Sequence, residues 1–245
     1  MDYTLTTRLA AEFIGTAIMV ILGNGSVANV ELGHTKGHGS DWALIAFGYG
    51  FGVMIPALIF GSISANHINP AFTLGLAVSG LFPWSEVLPY IAVQFLGAFF
   101  GQAVVVATYK PYYDQTTDPE RILGTFSTID AAQSKLNGFI NEFVGTFILI
   151  FGALGITKAP FFSDNLGTAH LGLGFLVLVL VASLGGATGP ALNPARDLAP
   201  RLLHQLLPLK NKGKSQWDYS WVPVVAPILA GILAIFVYKS LFMLS

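Results

Sequence analysis

The chain of 245 residues has no cysteine. That removes thiol nucleophiles, disulfides and cysteine-ligated metal centres, and it leaves the redox compartment unspecified. Charge is scarce too: 10% of residues are Asp, Glu, Lys or Arg, against about 25% in an ordinary soluble domain. Twelve basic residues face thirteen acidic ones for a net charge of −1, a balance with no attraction for nucleic acid. There are five histidines, and His34, His38 and His204 are scattered along the chain. No metal site is expected from them, and no nucleophile–base pair suggests an enzyme.

What is present is apolar. Hydrophobic residues make up 53% of the chain and the mean hydropathy is +0.66. Six segments, at about 9–30, 41–62, 87–109, 137–157, 168–186 and 219–243, are long enough to cross a bilayer as helices and too long for barrel strands. The first lacks a small-residue cleavage motif, so it is expected to be a retained span and not a signal peptide. The expectation is an all-α, multi-pass membrane protein in a lipid bilayer, with no soluble domain.

Two shorter apolar segments run from Ala71 to about Val78 and from Ala195 to about Leu206. At ~1.5 Å per residue each reaches roughly 12–17 Å, half a bilayer. Each follows an Asn-Pro pair, in His67-Ile68-Asn69-Pro70-Ala71 and in Ala191-Leu192-Asn193-Pro194-Ala195-Arg196-Asp197. Asparagine is a preferred N-cap, and proline at the first helical position loses nothing by lacking an N–H. Two helix N-termini, each the positive end of a dipole, are therefore predicted at membrane depth.

The sequence repeats itself. Ala11-Glu12-Phe13-Ile14-Gly15-Thr16 recurs as Asn141-Glu142-Phe143-Val144-Gly145-Thr146, and Asn69 recurs as Asn193. Each half has three spans and one half-helix. Three is odd, so the halves insert with opposite orientation and the half-helices meet at the midplane. The domain is read as one transmembrane unit over 1–245. Repeat 1 covers about 6–109, a connecting loop 110–136, and repeat 2 about 137–243.

Paired Asn-Pro-Ala half-helices on an inverted three-plus-three repeat resemble the major intrinsic protein (aquaporin) family. Asp197 after Arg196, the pair Pro200-Arg201, and Gly124-Thr125-Phe126-Ser127-Thr128 are similar to its bacterial glycerol-facilitator branch. The resemblance implies a passive channel for glycerol, water and other small neutral solutes, including dihydroxyacetone, hydrogen peroxide and undissociated lactic acid. It also implies a homotetramer in the cell membrane, cytoplasmic termini and no cofactor.

Counted by the family pattern, the selectivity filter is Tyr49, Val181, Pro190 and Arg196. The glycerol pattern has Trp, Gly and Phe at the first three, so a wider and less apolar filter is expected, with a Tyr49 hydroxyl in need of a partner. Pore acceptors by resemblance are the carbonyls of Ala65, Asn66 and His67, and of Gly189, Pro190, Ala191 and Leu192. Asn69 and Asn193 cap their helices through the side-chain oxygen and turn the NH₂ to the lumen. Pro70, Ala71, Pro194 and Ala195 complete the motifs. Arg196 shares a helix face with Asn193 and would repel cations; the alternative is a pairing with a buried carboxylate.

Glu12 and Glu142 are equivalent intramembrane carboxylates. They form either a proton relay or a pair of acceptors holding the loops before the half-helices, and their symmetry favours the second. Asp197 is expected to pair with Arg201 four residues on. The His67 ring should order its loop, and His170 should sit in a helix interface. Two rival functions remain, a water-selective aquaporin and an ion-coupled secondary transporter. Against them stand Asp197 and the lack of His at 181 for the first, and the lack of a further carboxylate cluster for the second. One conflict concerns sidedness. Family topology places Lys36, Lys110, Arg121, Lys135, Arg201, Lys210, Lys212 and Lys214 outside, which the positive-inside rule would reverse.

Overall fold

The computed structural model describes residues 3–158 and 165–243. Among these residues the structure is helical: α1 (Leu5–Glu31), α2 (Trp42–Ser64), α3 (Pro70–Val78), α4 (Trp84–Gln115), α5 (Pro119–Gly124), α6 (Lys135–Lys158), α7 (Leu166–Thr188), α8 (Pro194–Leu206) and α9 (Val222–Phe242). Six of them, α1, α2, α4, α6, α7 and α9, are long and apolar enough to cross a membrane. They match the six predicted spans, and α3 and α8 are the two half-helices.

The predicted loop 110–136 is the main difference. Helix α4 continues to Gln115, and α5 follows almost at once. Hydropathy ends at the polar turn around Lys110, but the helix does not. Lys110 pairs with Asp114 four residues on, at 2.6 Å, an arrangement that supports an exposed helix. The Asp118 carboxylate then accepts from the Glu120 N–H at 2.9 Å, with Pro119 at the first position of α5. This is ordinary N-terminal helix chemistry.

Helix α1 packs on α2 and α4, α2 on α7, and α6 on α7 and α9. The half-helix α3 lies against α9 and α4, and α8 lies against α4. The repeat is visible in the bounds: Trp42 and Leu166, Ser64 and Thr188, and Asn69 and Asn193 all stand 124 residues apart. Close approach is needed where α9 passes the start of α3. A Cβ on Gly231 would lie 2.9 Å from the Ala71 carbonyl, so only glycine fits there.

The polarity of the molecule is inverted relative to a soluble protein. Leu88, Leu96, Phe100, Phe175 and Phe236 are exposed, whereas Glu12, Asn24, Gln94, Gln102, Glu142, Asp197 and Arg201 are fully buried. In lipid the polar groups find their partners inside. Arg8 near the start of α1 grips Glu86 at the start of α4 with two hydrogen bonds, 2.5 and 2.7 Å. The outer ends of both half-helices are capped by lysines. Lys212 donates to the carbonyls of His204, Gln205 and Leu207 at 2.9, 2.8 and 2.7 Å, and Lys239 donates to that of Ser79 at 2.9 Å. A cation there satisfies free carbonyls and complements the negative end of the helix dipole.

Candidate functional site

The half-helices meet N-terminus to N-terminus. Asn69 Oδ1 accepts from the Ala71 N–H at 2.9 Å. Asn193 Oδ1 accepts from Ala195 and Arg196 at 3.0 and 3.3 Å. Each asparagine therefore caps its own helix. The NH₂ groups are used differently from the sequence expectation. Asn69 Nδ2 donates to the Leu192 carbonyl and Asn193 Nδ2 to the Ile68 carbonyl, both at 2.7 Å. Each amide thus spends one of its two hydrogens on the opposite loop; the second hydrogen of Asn193 meets Met19 Sδ at 3.8 Å, and that of Asn69 is left over. Ile68, absent from the predicted set, is the counterpart of Leu192.

The loops before the half-helices have an unusual backbone. Ala65, Asn66 and Ile68 have φ of 65°, 46° and 41°, and Gly189 and Leu192 have 71° and 50°. Left-handed backbone costs a non-glycine residue roughly 1–2 kcal/mol, and more for a branched one such as Ile68. The two glutamates hold these loops. Glu12 accepts from the His67 and Ile68 N–H groups at 2.8 and 2.7 Å, from Ser64 Oγ at 2.7 Å and from Gln94 Nε2 at 2.9 Å. Glu142 accepts from the Ala191 and Leu192 N–H groups, both at 2.8 Å, and from Thr188 Oγ1 at 3.2 Å. Both carboxylates are fully buried with their oxygens engaged by donors from the two loops. The His67 ring meets Thr73 Oγ1 at 3.1 Å and packs against Phe72, Phe82 and Tyr90, in keeping with a loop-ordering part.

Two cavities flank the constriction. One, of about 90 Å³, runs past the half-helix junction, and a single water needs only ~10–15 Å³ on this measure. Asn66, His67, Asn69, Ala191, Leu192 and Asn193 lie on its wall together with Val53, Phe72, Leu149 and Val177, so polar and apolar groups share the lining. The other, of about 370 Å³, is bordered by Glu31, Asp118, Glu120 and Arg121 and reaches Gly189. Tyr49, Val181, Pro190 and Arg196 line both and form the boundary between them. Ala65, Pro70, Ala71, Pro194 and Ala195 line neither; the two Pro-Ala pairs are buried as the first turns of their helices.

Arg196 is buried yet makes no ion pair among the described residues, because its neighbour Asp197 is committed elsewhere. Asp197 meets Arg201 at 2.9 and 3.1 Å and also accepts from Thr128 N and Oγ1, both at 2.8 Å. Arg196 Nη1 donates to the Phe126 carbonyl at 3.0 Å, Nη2 donates to the Tyr49 hydroxyl, and the guanidinium lies 5.0 Å from the centre of the Tyr49 ring. The hydroxyl that the sequence left without a partner thus reaches across to the filter arginine.

The sequence reading gave no site role to the Phe126 carbonyl, and it did not include Asn24, Gln94 or Gln102. The last three carried a usable signal, as single amides inside apolar spans. A backbone carbonyl such as that of Phe126 has none.

Two half-membrane helices joined head to head by their capping asparagines, inside six spanning helices and beside a buried arginine, define a multi-pass membrane channel of aquaporin architecture. The chain belongs to the major intrinsic protein family, whose model matches residues 2–238. It is 57% identical over 241 residues to glycerol uptake facilitator protein-like 5 of Lactiplantibacillus plantarum, covering 96% of each chain. It is 48% identical to the glycerol facilitator-aquaporin gla of Lactococcus lactis subsp. lactis, covering 99% of this chain and all of the relative. Among solved structures, the aquaglyceroporin from Plasmodium falciparum superposes with a TM-score of 0.86 at 28% identity, over 97% of both chains.

Proposed function

We propose that this protein is a passive channel for glycerol and water, with Tyr49, Val181, Pro190 and Arg196 as its selectivity filter. The observation that carries this reading is that, among the described residues, these four alone border both cavities, so a solute moving from one to the other passes them. A polyol crossing a bilayer leaves each unmet hydroxyl at a cost of about 1–3 kcal/mol. The loop carbonyls before Asn69 and Asn193 and the donors of Arg196 supply partners, and the apolar groups of the lining accommodate the carbon skeleton. The fixed charge of Arg196 and the two opposed helix N-termini, each worth about half a positive charge, repel protons and cations.

Relatives named as glycerol facilitators favour this over a water-only pore or an ion-coupled transporter. Dihydroxyacetone, hydrogen peroxide and undissociated lactic acid share the required neutrality and small cross-section. A homotetramer in the cell membrane with cytoplasmic termini follows from the family pattern. Stopped-flow light scattering on proteoliposomes tests the function. Glycerol flux down its own gradient, independent of imposed ion gradients, is expected; water flux without glycerol flux would refute it.

A further inference from the structure

Behind the filter lies a chain of buried side chains whose hydrogen-bond directions can be read from its ends. At one end the Thr125 carbonyl can only accept, and Gln102 Nε2 donates to it at 3.2 Å. That leaves Gln102 Oε1 for Asn24, whose Nδ2 donates to it at 2.6 Å and also to the Phe126 carbonyl at 3.2 Å. With its nitrogen committed to two acceptors, Asn24 turns Oδ1 to Tyr49, whose hydroxyl donates at 2.5 Å. At the other end a guanidinium can only donate, and Arg196 Nη2 does so to the same tyrosine oxygen. A carbonyl at one end and a cation at the other leave the two amides one consistent orientation. The Phe126 carbonyl closes the circuit, since it accepts from both Asn24 and Arg196. Asn24 and Gln102 are fully buried, and neither borders the two cavities.

We propose that Asn24 is a positioning residue for solute selection, acting through Tyr49. It takes the single phenolic proton, so the tyrosine oxygen serves Arg196 as an acceptor and has no hydrogen to offer the lumen. Val181 and Pro190 have no polar side-chain atoms. The side chains of the constriction therefore present donors only, the Nη hydrogens that Arg196 has not spent on Phe126 and Tyr49; its Nε–H is buried. Such a wall favours solutes that bring oxygen lone pairs to it and give their own hydrogens to the loop carbonyls. Polyols, small ketones and undissociated acids all do so. Gln102 acts one step further back, fixing together with the Phe126 carbonyl which end of the Asn24 amide faces the tyrosine. Nothing else in contact with the Tyr49 hydroxyl can take its proton, because its other partner is a cation.

The inference rests on the filter assignment above, so its test is a ratio measured apart from the presence of flux. Asn24→Leu, Tyr49→Phe and the double variant are reconstituted, and glycerol and water permeabilities are compared. The loss of one net hydrogen bond corresponds to a factor on the order of five. Asn24→Leu is expected to shift the glycerol-to-water ratio by about that factor. In the Tyr49→Phe background the same substitution is expected to change the ratio no further. A purely structural asparagine would lower both permeabilities together. An unchanged ratio, or equal shifts with and without the phenolic hydroxyl, overturns the proposal. If Asn24→Leu does not reconstitute, Asn24→Ala removes the same acceptor from the Tyr49 hydroxyl and must itself shift the glycerol-to-water ratio from the wild-type value; no movement overturns it. The hydrogen peroxide-to-water ratio is read on the same vesicles, so a wild type that excludes glycerol refutes the functional reading while the Asn24 cycle still gives an answer.

Discussion

Glu142→Gln isolates what one buried carboxylate does for the pore. Its two oxygens accept from the N–H groups of Ala191 and Leu192, both at 2.8 Å, and from the Thr188 hydroxyl. A glutamine of the same shape keeps one oxygen. Whichever way its amide turns, one of the two backbone N–H groups then faces another donor. The loss is a hydrogen bond to a charged group, worth about 1.5–3 kcal/mol, plus an unmet buried N–H at about 1–3 kcal/mol. Leu192 already holds φ at 50°, so the loop has a relaxed alternative to fall into, and its carbonyl would leave Asn69. The total is about 3–5 kcal/mol. For a chain of this length, at roughly 2–4 °C per kcal/mol, that lowers the thermal midpoint by on the order of 10 °C. The assay is thermal unfolding in detergent with glycerol flux measured in parallel, and both should fall. A midpoint within about 2 °C of wild type, with flux intact, would show that the strained loop is held by something other than this carboxylate.

Asp197→Asn should also cost about 3–5 kcal/mol, because it strands a fully buried Arg201 without its counter-charge; unchanged thermal stability would refute this. Asp218 behaves oppositely. It lies outside the spans and is fully exposed, and the hydrogen bond from Lys135 holds its carboxyl below the usual range. A lowered folded-state value means that any stabilisation is present above pH ~4 and disappears as pH falls through the lowered value. Because solvent screens the pair, Asp218→Asn is expected to leave the unfolding midpoint at pH 7 unchanged, and a clear drop would contradict that.

The parts of the architecture legible in the sequence were those encoded by residue type at fixed spacing. Asn-Pro at 69–70 and 193–194 announced two helix starts, the recurrence of Glu12 as Glu142 announced the repeat, and the family pattern, counted back from Asn69 and Asn193, pointed to Tyr49, Val181 and Pro190, which with Arg196 border both cavities. What stayed hidden depends on backbone atoms and on contacts between distant segments. The Phe126 and Ile68 carbonyls leave no trace in composition, and α5 is too short and polar to stand out from a loop. Five of the eight cations behind the charge asymmetry are committed within the structure. Arg201 is buried against Asp197, Lys212 caps α8, and Lys110, Arg121 and Lys135 pair with acidic neighbours. These cations have structural partners.

The crossed amide bonds, Asn69 to Leu192 and Asn193 to Ile68, bear on biogenesis. Each half of the chain lacks the acceptor that its own asparagine needs, and that acceptor is synthesised in the other half. The two half-helices therefore complete each other's hydrogen bonding only when both are in place. A truncated half, however well inserted, is left with an unsatisfied amide and a left-handed backbone turn at the centre of the bilayer.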